Sequence, residues 1–145
     1  MFDNLLSLVK EHAGEAIINN PAIPNEKNNE AIGVTTGSII DTLKSQISGG
    51  NLNSVLDMFK GGDPNASSVG NAIQSHAATE LMKKFGIDSA QASNLVSTLI
   101  PKVMDQFVNK TNDPGDNSFD LKSVMNTLGG DNANGLLGNI TNLFK

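Results

Sequence analysis

The segments KEHAGEAI (residues 10–17) and QSHAATEL (residues 74–81) hold the two histidines of the chain, His12 and His76, each followed by an alanine. The histidines lie 64 positions apart, so they mark either a paired chemical site or a duplicated helix. Apolar residues recur at helical spacing through both segments and along most of the chain, and no run alternates as a strand would. The sequence therefore predicts an all-α fold.

A shift of 64 residues aligns the first part of the chain with the second part, and needs no gap from residue 5 to residue 47. The aligned positions are apolar in both copies: Leu5 with Val69, Val9 with Ile73, Ala13 with Ala77, Ile17 with Leu81, Ile23 with Ile87, Ile32 with Val96, Ile39 with Val103, Ile40 with Met104 and Leu43 with Phe107. Gly37, a weak helix former, falls on Pro101, which removes a helical hydrogen bond. Each long helix is therefore expected to be weakest at the same point.

A third apolar stripe follows each long helix: Leu52, Val55, Leu56 and Phe59 match Leu121, Val124, Met125 and Leu128. The pattern predicts helices A, B and C, their copies A′, B′ and C′, and a partial third first helix, A″. We expect a single domain over 1–145, a multihelical bundle with approximate internal two-fold symmetry. Repeat 1 covers 1–64, repeat 2 covers 65–133, and A″ covers 134–145.

Local signals suggest how these helices begin and pack. Asp88 with Gln91 three residues later predicts a capping box at the start of B′. Asn51 and Asp120 precede the two C helices and are expected to be their N-caps. The GVTTG stretch at 33–37 favours close approach of a neighbouring helix, because its two glycines lie on one face.

Composition excludes several classes of protein. The chain has 145 residues, with no Cys, Trp, Tyr or Arg, and its ten lysines face fifteen acidic residues for a net charge of −5. A cysteine-free chain has no disulfide, thiolate nucleophile or zinc finger. Nucleic-acid binding needs a basic footprint, so we expect no nucleic-acid partner. The start MFDNLLSLVKEHAG lacks the features of a signal peptide, and no apolar run reaches a membrane span, so we expect a cytoplasmic protein.

The repeated histidines and aspartates are the only candidates for chemistry. His12, His76, Asp41 and Asp105 could form a pseudo-symmetric metal or acid–base site, because imidazole and carboxylate groups are metal ligands. The tight spacings typical of such sites, HxxxH or ExxH, do not occur. We interpret the histidines as half-buried packing residues that were duplicated with their helices, and expect no enzyme activity, metal or cofactor.

The chain resembles the YidB-like family of small bacterial proteins, a domain of unknown function. The resemblance lies in the amphipathic start MFDNLLSLV, the helix entry GIDSAQAS, the Gly-rich GGD breaks and the later LLGNI, and it spans nearly the whole chain. It implies an all-helical fold with internal duplication, and it implies no catalytic or binding residues.

Two classes of function remain. The first is a non-catalytic helical module for protein interaction or self-association, which offers a groove to a partner or pairs through helices A and A″. The alternative is a small apolar-ligand carrier with a pocket between B and B′, where Thr35, Thr36 and Ala92 are small. A His/Asp metal-binding protein is a weaker third possibility. We favour the interaction module.

Overall fold

The computed structural model describes residues 2–60 and 68–113, together with Val124 and Leu128, and these residues contain helices and no strand. The α-helices of these ranges are α1 (Phe2–Ala13), α2 (Asn28–Ser48), α3 (Leu52–Phe59), α4 (Ser68–Phe85) and α5 (Ser89–Thr111). The predicted all-α class is confirmed. Helices A, B, C, A′ and B′ correspond to α1 to α5 in that order. No helix in the described ranges combines the length and apolar character needed to cross a membrane.

Burial follows the alignment of the two halves. Both members of each of the nine aligned apolar pairs, from Leu5 with Val69 to Leu43 with Phe107, are buried. The two histidines are half-buried, and Asp41 and Asp105 are both exposed. Val124 and Leu128 are helical and buried, as expected for helix C′. The rest of C′ and all of A″ (134–145) lie outside the described residues, and the duplication with two-fold symmetry stays a prediction.

The core forms where α1 and α4 each pack against both α2 and α5. The contact between α2 and α4 is the most extensive, and α3 packs on α2 and α5. The Phe59 ring of α3 meets the Phe107 ring of α5 edge to face, with ring centroids 5.1 Å apart and planes at 75°. Burial of such side chains stabilises a fold by roughly 1.5–3 kcal/mol each. The third helix is thereby fixed to the end of the fifth.

The end of helix A differs from the end of the aligned helix A′. After α1, the chain forms a π-helical turn over Gly14–Ile18, and the Asn19 amide donates to the Gly14 carbonyl at 2.8 Å. Helix A′ instead continues as one α-helix to Phe85. The side-chain amide of Asn20 then donates to the Ala16 carbonyl at 3.0 Å and its oxygen accepts the Ala22 amide at 2.9 Å. This turn ends the first helical segment before Pro21 and Pro24, which lack the backbone amide that a continuing helix needs.

Two of the predicted caps can be checked. The Gln91 amide donates to the Asp88 carboxylate at 2.8 Å, and the Asp88 amide donates to the Gln91 side chain at 3.1 Å. The capping box is confirmed. Asn51 occupies the N-cap position of α3, as predicted, but its side chain donates to the Gln46 side chain at 2.8 Å and makes no cap hydrogen bond. Asp120 lies outside the described residues.

Candidate binding groove

An open groove runs between α2 and α4, and one stripe of each helix lines it. Its larger part has a volume of about 550 Å³ and its smaller part about 220 Å³, and Asp41 and His76 line both parts. We call the combined feature the α2–α4 groove. Its lining residues are Glu30, Gly33, Val34, Gly37, Ser38, Asp41, Thr42 and Ser45 on α2, and Ala72, His76, Glu80 and Lys84 on α4.

The two helices run antiparallel along the groove. The larger part combines Glu30 with Lys84, and the smaller part combines Ser45 with Ala72. At a helical rise of 1.5 Å per residue, the α2 side from Glu30 to Ser45 is roughly 22 Å long. On α4 the lining residues repeat every fourth position, which places them on one face. The groove is therefore long enough for several residues of a bound polypeptide.

Glycine keeps the groove open. A Cβ atom added at Gly33 or Gly37 would meet no heavy atom within 4 Å. The prediction that these glycines let a neighbouring helix approach is therefore wrong for the part of the chain that the structure describes. The glycines leave space on the surface of α2 that larger side chains would fill.

The hydroxyl groups of α2 are bonded within the helix. Those of Thr35, Thr36, Ser38 and Thr42 each donate to the carbonyl four residues earlier, at 2.8 to 2.9 Å. Such bonds satisfy polar groups that burial would otherwise leave unpaired. Thr35 and Thr36 are fully buried, as is Ala92. These three residues, expected beside an apolar pocket between B and B′, belong to the packed core, and other residues line the groove.

Charge in the groove comes from both helices. Glu30 lies in the first turn of α2 and Lys84 in the last turn of α4. The helix macrodipole favours a negative charge at the first position and a positive charge at the second. Asp41 and Glu80 lie inside their helices, where that explanation does not apply. Asp41 on α2 and Glu80 on α4 give the groove an acidic centre, and the half-buried His76 of α4 lines the same part of it.

The structure brings together one half of the predicted His/Asp set. His76 and Asp41 line the same groove, while His12 lies on α1 and Asp105 on α5, outside its lining. Among the residues that the structure describes, no group of three or more histidine or carboxylate side chains could hold a metal ion. The pair that shares the groove comes from different halves of the chain, A′ and B.

Sequence reasoning did not identify the groove. The i, i+4 series on α4 that ends in Glu80 and Lys84 is visible in the sequence. What the sequence did not provide was the packing of A′ on B, which places that series opposite Gly33 and Gly37. Helical periodicity reports which face a helix buries, and it does not report which helix covers that face.

Apolar side chains are exposed at one pair of aligned positions. Ile18 is 44% exposed and Met82 is 37% exposed. They lie 64 residues apart, at the ends of helices A and A′. Single exposed apolar residues are common on protein surfaces, so the two positions carry no site by themselves.

Comparison with protein-family models, curated proteins and solved structures gave no significant match for the chain. The resemblance to YidB-like proteins therefore stays a prediction.

Proposed function

We propose that this protein is a non-catalytic interaction module that binds another polypeptide through the α2–α4 groove. The observation that carries this proposal is the empty space above Gly33 and Gly37. A groove roughly 22 Å long, which the described residues leave open and in which glycines line the α2 side, can take side chains of a bound segment.

Gly33 and Gly37 have a cost in helix stability that packing against the described residues does not offset. Glycine inside a helix is less favourable than alanine by roughly 0.5–1 kcal/mol, because it loses more backbone freedom on folding. At Gly33 and Gly37 an alanine Cβ would meet no atom of the described residues within 4 Å, so packing within those ranges gives no reason for glycine. Close approach of a bound partner to the backbone of α2 would give a reason for glycine at these positions.

The proposal has three further parts. The chain is a tandem duplication with approximate two-fold symmetry, which the matched burial of the aligned pairs supports. It is a cytoplasmic member of the YidB-like family that uses no cofactor. Its net charge of −5 supports a protein partner over a nucleic acid.

Site-specific photocrosslinking tests the groove. The chain has no cysteine, so a Ser45→Cys variant carries a photoreactive maleimide at one position only, beside the groove and away from the space above the glycines. The matched control is Asn109→Cys, at the aligned and exposed position on α5. We expect a discrete crosslinked product in cell extract from Ser45→Cys alone. Unlabelled wild type should compete it away, and unlabelled Gly37→Gln, which fills the groove, should not. Equal products at both positions would refute the proposal.

Self-association through the ends of helices A and A′ is the second candidate, and the exposure of Ile18 and Met82 favours it. Native mass spectrometry of the purified protein tests it directly. A dimer that an Ile18→Ser/Met82→Ser variant reduces to monomer would support this candidate. A wild-type monomer at all concentrations would exclude it, and bound mass on that monomer would favour a ligand carrier.

A further inference from the structure

We infer that the occupant of the α2–α4 groove is a basic polypeptide segment, rich in lysine or arginine, and that each chain binds one. This inference rests on the proposed function and adds the chemical class of the partner. Three carboxylates line the groove, on Glu30, Asp41 and Glu80, against one ammonium group, on Lys84.

The central carboxylates of Asp41 and Glu80 form no ion pair with another residue that the structure describes, although Lys84 follows Glu80 by one helical turn. Glu80 is half-buried, so part of its hydration is already lost. A lysine or arginine side chain lying in the space above Gly37 would share the groove with both carboxylates. Charge-assisted hydrogen bonds to both would then favour a basic partner over a neutral one.

A second copy of this chain is a poor occupant. The chain carries a net charge of −5 and contains no arginine, so two copies repel each other at long range. Lysine has to supply every cation, and acidic residues outnumber the lysines. A basic segment of a different protein supplies its own cations, and the negative charge of this chain attracts it.

The other half of the chain does not repeat the lining. The aligned pairs differ at the groove positions: Glu30 with Asn94, Gly33 with Ser97, Gly37 with Pro101 and Glu80 with Ala16. Duplication accounts for the shared histidines and for Asp41 with Asp105, and it does not account for the glycines and glutamates. The glycines and glutamates of the α2–α4 groove have no equivalents at the aligned positions. We therefore expect one bound segment per chain.

The probe is a dye-labelled fifteen-residue lysine–alanine peptide, titrated into the full chain and followed by fluorescence anisotropy. We expect saturable one-to-one binding, and no binding of the matched glutamate–alanine peptide. Asp41→Asn/Glu80→Gln should weaken binding by about fivefold to tenfold, as loss of two partly exposed ion pairs predicts. The control Glu11→Gln/Asp57→Asn removes two exposed carboxylates from α1 and α3 and should change affinity less than about twofold.

Amide chemical shifts give a readout that does not depend on variants. On addition of the lysine–alanine peptide, the Gly33 and Gly37 signals should shift more than the Ser97 signal. Equal weakening by both double variants would mean attraction to net charge alone and would overturn the inference, as would two peptides per chain. Groove-specific crosslinking without peptide binding would overturn the basic-segment inference and leave the proposed function standing. Failure of groove-specific crosslinking would overturn the function itself.

Discussion

The side-chain amide of Asn112 donates a 2.8 Å hydrogen bond to the backbone carbonyl of Phe59, 53 residues earlier in the chain. The same amide group donates to the Val108 carbonyl at 2.9 Å. Phe59 is the last residue of α3 and Asn112 follows the last residue of α5. The carbonyls at the end of a helix have no partner inside the helix. One side chain therefore satisfies carbonyls at the ends of both helices and joins them.

Asn112→Ala should lower the free energy of unfolding by about 1 kcal/mol, because the Phe59 carbonyl loses its side-chain donor, whereas the Val108 carbonyl still accepts from the Thr111 hydroxyl and the residue 112 backbone amide. Urea denaturation followed by circular dichroism measures the change. The control is Asn109→Ala, an exposed residue of the same helix turn, for which we expect a change within about 0.5 kcal/mol. Equal effects of the two substitutions would mean that the bond to Phe59 contributes nothing.

The ring contact between Phe59 and Phe107 should stabilise the fold by more than the burial of the two rings alone. Phe107→Ala should cost about 3–5 kcal/mol, because it removes a fully buried ring from the core. A double-mutant cycle with Phe59→Leu and Phe107→Leu isolates the edge-to-face interaction, for which we expect a coupling energy of about 0.5–1.5 kcal/mol. A coupling energy near zero would mean that area burial alone accounts for the pair.

The sequence predicted most of the secondary structure, because each helix carries its own evidence. The stripe of α2 and the capping box at Asp88 are local patterns, and both are present in the structure. The π turn at Gly14–Ile18 was not predicted, because one extra residue in a single turn leaves the apolar spacing nearly unchanged. Asn51 matched the composition of an N-cap, but its side chain bonds to Gln46 instead.

The groove could not be predicted from the sequence. Its existence depends on which helix α4 packs against, and on the empty space that this packing leaves beside Gly33 and Gly37. A GxxxG pattern reports only that two small residues share a helix face. Whether that face is covered by a neighbour or open to solvent is a property of tertiary packing. The repeat pairs His12 with His76 and Asp41 with Asp105, whereas His76 and Asp41 line the same groove because A′ packs on B.

The capping box gives a further stability prediction. Asp88→Ala should lower the free energy of unfolding by about 1 kcal/mol, because the Gln91 amide loses its acceptor at the start of α5. Ser93→Ala, an exposed substitution one turn into the same helix, is the control and should leave stability unchanged or slightly raised. Thermal unfolding by calorimetry distinguishes the two. A loss for Ser93→Ala as large as that for Asp88→Ala would contradict a specific cap.

Alanine substitutions at Gly37 and at Gly86 should change the free energy of unfolding in opposite directions. Gly37→Ala should raise the free energy of unfolding by about 0.5–1 kcal/mol, because the new Cβ meets nothing within 4 Å and alanine is the better helix former. Gly86→Ala should lower it by about 1–2 kcal/mol, because Gly86 follows α4 with φ at +66°, a left-handed conformation that alanine adopts at a cost.

Both values come from one set of urea titrations with wild type as the reference. If Gly37 serves binding, Gly37→Ala should combine higher stability with weaker affinity for the lysine–alanine peptide, while Gly86→Ala should lower stability and leave affinity unchanged. Such a trade of stability for binding is typical of functional positions. Lower stability of Gly37→Ala would mean that the glycine has a structural role, and the principal support for the groove would be lost.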